Sequence, residues 1–383
     1  MRMSPKNLFY IPVIAFSFFA KDLKCQTAIE TCFYSENISS IFNGQFNTLA
    51  ERSDIIVLLG ESHGVSINFD IYLNLIKGLN QRMNFKFIAF ERSHLEACLF
   101  NKFLTTGDKG YLKWDVAYSN EMVEFFTKLR EYNDQLPENN RLSFIGVDAI
   151  HSIHAFVAGI QSLMPDKPAS NDIKSFLDSI KGLSLPLRIK PQSASEYFRI
   201  LDDSELFFKN QLLQNNSAYK EYFGDNYYHF DFVLKSKSSY SKPLFRNEAM
   251  FNNLNYVLGY LENKSSVVGF FGNNHVINLR SMKKSFATLV AEDDKSKFKD
   301  NVYRVLIEYE NSKALFQSRI VDVPSIVNEI LKKDEQKQLK NFISGLKCKS
   351  NFLLPATKIS PPLNDIFDYL ILVKGGYPVT IVH

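Results

Sequence analysis

Asp54-Ile55-Ile56-Val57-Leu58-Leu59-Gly60-Glu61-Ser62-His63-Gly64 joins a run of five apolar residues to a turn that carries a carboxylate and an imidazole between glycines. Ile55 to Leu59 has the length and β-branched content of a strand buried on both faces. The helical pattern after His63 sets Phe69, Leu73 and Ile76 on one side with Ile71 and Leu75 nearby, and it ends near Met83. That face is broad enough to pack on a sheet.

The same design recurs three times. Phe87 to Phe90 runs into Glu91-Arg92, Leu142 to Ile145 into Gly146-Val147-Asp148, and Val267 to Phe271 into Gly272-Asn273-Asn274-His275. Strand, helix and strand in succession imply parallel strands with right-handed crossovers. The predicted fold class is α/β, a mostly parallel sheet flanked by helices. Ligands of such sheets sit outside the carboxyl ends of the strands, so the four polar clusters should gather in one crevice.

Further helices are expected at His94 to Leu104, Asn120 to Asn133 and Arg246 to Glu262, and further strands at Val302 to Tyr309, Tyr369 to Val373 and Val379 to Val382. From about Met164 to Lys242 the composition shifts toward Pro, Ser, Lys and Asp, with aromatic helices at Ser193 to Leu213 and Ala218 to Leu234. This reads as a helical insertion at 164–242. Insertions after a core strand commonly wall the substrate site.

At 383 residues and 45% hydrophobic content the chain can bury a large core without disulfides or metal, so residues 26–383 are expected to form a single α/β domain. Its 45 basic and 41 acidic residues are mixed along the sequence with no basic stripe, which speaks against a nucleic-acid partner. Arg2 and Lys6, an apolar stretch from Leu8 to Ala20, and then Lys21, Asp22 and Lys24 have the layout of a signal peptide over 1–25. That predicts a secreted or cell-envelope protein, periplasmic if bacterial. Membrane attachment would come only through this segment or a lipidated Cys25, and Lys24 argues against lipidation. A lead-in with helical character around Ser40 to Leu49 follows. Cys25, Cys32, Cys98 and Cys348 contain no close pair that could form a metal knuckle, and one bridge among the last three is allowed in an oxidising compartment.

Glu61 and His63 share a Gly-bounded turn in which Gly60 and Gly64 can adopt positive φ. A histidine beside carboxylates can take a proton from water, and the same pair can ligate a metal. Their structural alternative is a helix-capping Glu61 and a hydrogen-bonded turn histidine. Glu91 supplies a second carboxylate. Arg92 reads either as a substrate-binding cation or as an ion-pair partner, and Asp148 either as a site carboxylate or as a helix N-cap. His275 adds a second imidazole, with Asn273 and Asn274 beside it. Together Glu61, His63, Glu91 and His275 would serve water activation, or hold a divalent metal if the chemistry is metal-dependent. His94, His151 and His154 have weaker claims, and His229 and His383 the weakest. The chain lacks a G-x-S-x-G elbow, a Walker loop and a G-x-G-x-x-G after a strand, which disfavours serine hydrolases, NTPases and dinucleotide enzymes.

These motifs resemble the erythromycin esterase-like family and the wider superfamily that includes the ChaN-like haem-binding proteins. The resemblance spans roughly Ser53 to Val382. It rests on Leu58-Leu59-Gly60-Glu61-Ser62-His63-Gly64, Phe90-Glu91, Phe144-Ile145-Gly146-Val147-Asp148, Arg246-Asn247-Glu248-Ala249-Met250, Gly272-Asn273-Asn274-His275-Val276 and Phe367-Asp368-Tyr369. It implies hydrolysis by direct water attack with His63 as base, Glu61, Glu91 and His275 around the reacting atoms, and Arg246 as a contributor. The family usually has one more residue between the first Glu and His, and a His at the place of Gly272. In both respects this chain is more similar to the ChaN-like branch. The expected activity is therefore an exported ester or lactone hydrolase acting on a small molecule and requiring no cofactor. The alternative is an envelope protein that binds haem or a divalent metal.

Overall fold

The computed structural model describes residues 54–380, apart from 116–117, 151, 183–193, 237–245, 262–265, 278–283, 317–318 and most of 327–365. The expected signal peptide, the lead-in helix, Cys25, Cys32, Cys348, His151 and His383 lie outside the described residues. Cys98 is free and buried, so no bridge uses it.

β1 (Ile56–Glu61) is buried along its whole length, as a continuous apolar run requires of a strand covered on both faces. It runs parallel between β4 (Val267–Gly272) and β5 (Val302–Glu310). β2 (Phe87–Phe90) and β3 (Ser143–Gly146) extend the sheet beyond β4, while β9 (Tyr369–Lys374) and β8 (Phe352–Pro355) extend it beyond β5. The order is β3-β2-β4-β1-β5-β9-β8, parallel except for β8 at the edge. β6 (Lys313–Phe316) and β7 (Arg319–Asp322) form a separate antiparallel hairpin.

Alternation along β1 divides the core in two. Val57 and Leu59 face α1 (Ile67–Met83) and α3 (Asn120–Asp134) through Ile76, Phe125 and Leu129. Ile56 and Leu58 face α9 (Arg246–Tyr260) and α11 (Phe286–Glu292) through Leu254, Val257 and Phe286. α2 (His94–Thr106) serves two clusters: Phe100 and Phe103 join the sheet core, whereas Leu95 and Cys98 join the insertion. There they meet α4 (Ile153–Ser162), α5 (Asn171–Gly182), α6 (Ala194–Gln214), α7 (Asn216–Phe223) and α8 (Tyr227–Lys235), packed around Phe156, Phe176, Phe208 and Phe230. The α/β class and the helical insertion are thus as expected.

Two elements differ from expectation. Ala218 to Leu234 is two helices, because Gly224 closes α7 at φ 54° and ψ −130°, a conformation closed to other residues, and a short 3₁₀ turn restarts the chain as α8. Of the expected strand at 379–382 only 379 and 380 are described, and they are not in a strand: Pro378 makes a single bridge to Val65, the Val379 N–H bonds the Gly64 carbonyl, and 381–383 lie outside the described residues.

Candidate active site

Three adjacent strands end at the same edge of the sheet, β1 and β4 level and β2 two residues earlier. The register pairs Glu61 of β1 with Gly272 of β4, and Phe90 of β2 with Phe270. Glu61 therefore closes β1, Glu91 follows β2 immediately, and Asn273 to His275 lie in the single turn α10 (Asn273–Val276) after β4. Arg246 and Asn247, the first residues of α9, complete the rim.

Glu61 is buried and holds two neighbours: Oε1 accepts from His63 Nδ1 and Oε2 from Asn68 Nδ2. The Tyr309 hydroxyl donates to Asn68 Oδ1 at 2.6 Å and accepts from the Ser62 N–H at 3.3 Å, so the carboxylate rests on a fixed polar floor. Burial, and then the charge of Glu61, raise the phenol pKa values of Tyr309 and Tyr72 well above the ordinary range. Gly64 makes the turn with φ +81°, and a Cβ there would lie 2.2 Å from the Leu315 carbonyl oxygen. Gly60 has no positive φ. It lies inside β1 and leaves room for Asn273, whose Oδ1 is 2.9 Å from where a Cβ would stand.

With its Nδ1 hydrogen on Glu61, His63 leaves Nε2 toward the crevice, 3.7 Å from Glu91 Oε2. Its side chain keeps 54% of its surface exposed. The Glu61 charge raises its pKa to about 9 against the opposing effect of burial, with Glu91 adding to the rise. Water at the open face screens that attraction, so the pKa lies between 6.5 and about 9.

Glu91 is the hub. Oε1 accepts from Arg246 Nη2 at 2.7 Å and lies 3.3 Å from His275 Nε2, while Oε2 accepts from the Gly272 N–H at 2.7 Å. Burial alone would raise its pKa, but His275, His63 and Arg246 hold it well below the usual carboxylate range. Asp148 grips Arg246 through both oxygens, from Nε at 3.0 Å and from Nη2. Asn247 orients His275: its Oδ1 lies 2.5 Å from Nδ1, and its Nδ2 donates to the Lys284 carbonyl, which sets the amide direction. A Cβ at Gly272 would stand 3.1 Å from His63 Nε2 and 3.4 Å from Glu91 Oε2, so the absent side chain keeps the centre open.

The structure thus brings Glu61, His63, Glu91, Asp148, Arg246 and His275 together. Asn273 is buried beside them, 3.5 Å from Ser62 Oγ through Nδ2. Asn274 is exposed. Arg92 has the ion-pair partner that its alternative reading anticipates: its guanidinium forks onto buried Asp115 at 2.6 and 3.1 Å and braces the Glu91 carbonyl at 2.8 Å. Asn68, Asn247, Tyr309 and Asp115 were not among the expected site residues. Asn247 is adjacent to Arg246 in sequence, whereas no spacing ties Tyr309 to Glu61.

A second group of side chains lies between α2 and α8. His94, Cys98 and His229 have ligand atoms all within 4.8 Å of one another, an arrangement consistent with a metal-binding site. Among the described residues no other group of three or more His, Cys, Asp or Glu converges in this way, the four strand-end residues included.

No protein-family model and no curated protein matches the sequence. Solved structures do resemble the fold. A succinoglycan biosynthesis protein has a TM-score of 0.58 at 16% identity, covering 93% of this chain and 98% of its own. An erythromycin esterase mutant in its open conformation has a TM-score of 0.58 at 13% identity, covering 91% and 98%. A Bacillus cereus protein has a TM-score of 0.56 at 16% identity, covering 92% and 100%. At these identities the likeness is one of fold, and the chain shares the architecture of the erythromycin esterase and its structural neighbours over nearly its whole length.

Proposed function

We propose that this chain is a hydrolase in which His63 activates water against an ester or lactone of a small molecule. One observation carries the reading: an imidazole fixed at Nδ1 by a buried carboxylate, with Nε2 open to the crevice where three parallel strands end. In its neutral form His63 takes a proton from water at Nε2 while the water oxygen bonds the carbonyl carbon. Glu61 and Glu91 flank the imidazolium and stabilise it. The Arg246 and His275 side of the crevice faces the negative charge on the carbonyl oxygen. When the tetrahedral centre collapses, the carbon–oxygen bond breaks and His63 returns its proton to the leaving alkoxide, giving acid and alcohol. Export of the enzyme belongs to the same reading and rests on the sequence of residues 1–25.

Binding of a metal at Glu61, His63, Glu91 and His275 has less support, since Arg246 and the Gly272 N–H already engage both oxygens of Glu91. Haem binding at the strand ends is the remaining reading.

The test is mass spectrometry of an ester and lactone panel incubated with the purified protein and with its His63→Ala variant. The expected result is gain of one water on a compound with the wild type, reduced at least about 100-fold in the variant. Equal hydrolysis by a folded His63→Ala protein would overturn the assignment. No hydrolysis across the panel, together with a haem Soret shift, would move the site to the ligand-binding reading.

A further inference from the structure

We propose that His94, Cys98 and His229 form a thiolate-containing site for a zinc-class ion, and that the ion clamps the helical insertion onto the helix that follows Glu91. The donors come from two elements distant in sequence. His94 and Cys98 are four residues apart on α2 and so share one face, while His229 comes from α8 of the insertion. His229 Nδ1 lies 2.9 Å from His94 Nε2 and 3.4 Å from Cys98 Sγ. A tetrahedral zinc ion separates two ligating nitrogens by about 3.3 Å, and nitrogen from sulfur by about 3.6 Å. The two pairs that share His229 Nδ1 are each within a few tenths of an ångström of those separations.

The chemistry of the three donors fits. Burial holds the His94 pKa well below the ordinary imidazole range and lowers that of His229 to about 4, so both rings are neutral at pH 7 and have lone pairs to give. Burial also pushes the Cys98 thiol up to about 12, which leaves it inert without an ion. Binding forms a metal–sulfur bond and releases the thiol proton to solvent, leaving a net charge of +1 on the ion and thiolate.

An independent observation concerns the far side of His94. Its Nδ1 is buried with no hydrogen-bond partner among the described residues. His94 also lines a cavity of about 20 Å³, with Glu205, Asp148, Ser236 and Asn253, which has room for one water. With Nε2 on a metal, Nδ1 carries the proton, and a water in that cavity can accept it and pass the contact to the Glu205 carboxylate of α6. Ligating histidines commonly use such an outer partner.

The position of α8 gives the site a consequence. Phe232 of α8 stacks on His94 with centroids 4.1 Å apart. Tyr228, four residues before Phe232, stacks on Tyr260 of α9 at 3.7 Å, and Asp231 accepts from Tyr256 of α9 at 2.7 Å. Glu91 lies three residues before the start of α2, and Arg246 and Asn247 begin α9. An ion at the cluster therefore fixes α8 between the two helices that present the hub of the candidate active site.

The test is titration of the full chain with cobalt(II) as a spectroscopic probe, then with zinc. A thiolate-to-cobalt charge-transfer band saturating at one ion per chain is expected, displaced by zinc, absent in Cys98→Ser, and at least about tenfold weaker in affinity in His229→Ala. Zinc should slow amide exchange in α8 of the wild type and leave it unchanged in Cys98→Ser. Cobalt binding without the band, or with a band that survives Cys98→Ser, overturns the site, as does absence of binding. Binding without slower exchange in α8 overturns the clamp. None of these readouts depends on turnover, so a failed hydrolase assignment is distinguishable from a failed metal site.

Discussion

Glu61 tunes His63 as well as orienting it, and the two effects separate on a pH axis. His63 must be neutral to accept a proton, so turnover should rise with pH along a limb set by its pKa, between 6.5 and about 9. Replacing Glu61 by Gln removes the largest cause of the rise while keeping a hydrogen-bond acceptor. The expected outcome is a limb shifted toward 6.5 and a lower plateau, measured as kcat/KM against pH. A limb that stays in place in Glu61→Gln would show that another group limits the reaction. Much of this was legible in the sequence, because Glu61, His63, Glu91 and His275 each follow an apolar run that could only be a buried strand. Arg92 was not, since a cation at a strand end looks the same whether it meets a substrate or Asp115, which is 23 residues away.

Among the elements, the parallel strands could be read because two buried faces force an uninterrupted apolar run. β6 and β7 could not, being four-residue strands of a hairpin without such a run, and β8, Phe352-Leu353-Leu354-Pro355, is a short apolar run at the sheet edge that a proline ends. The insertion was legible as helices but not as a partner of α2. His94 and His229 are 135 residues apart, and each alone resembles an ordinary core histidine. The break at Gly224 sets the direction in which α8 leaves α7 and hence where His229 points. A Cβ at Gly224 would meet nothing within 4 Å, so Gly224→Ala introduces backbone strain alone. The expected cost is about 1–3 kcal/mol, seen as a lower unfolding midpoint with faster amide exchange in α7 and α8. An unchanged midpoint would mean that the turn relaxes to another conformation without loss.

Across the whole molecule, the groups that build the two centres act on stability in opposite directions as pH changes. His63 has a raised pKa in the fold, so its contribution is fully present below 6.5 and is lost as pH rises toward about 9. Its open face keeps that contribution small. His94 and His229 have lowered pKa values and Glu91 is held low, so the native state binds fewer protons than the unfolded chain in acid. Their contributions are present above the ordinary values of 6.5 and 4.5 and are lost as pH falls, for His229 through about 4. His229 alone is worth on the order of 3 kcal/mol over that window. Thermal unfolding of the metal-free protein should therefore move to lower temperature between pH 7 and pH 5. His229→Phe, which keeps the ring and removes the titration, should flatten that slope even if its midpoint at pH 7 is lower. The cluster lies at the junction of insertion and sheet, so the protons that destabilise it should loosen α8 before they unfold β1. Amide exchange at pH 5 would reveal this as early loss of protection in α8 with β1 still closed, and simultaneous loss in both would mean that the molecule opens as one unit.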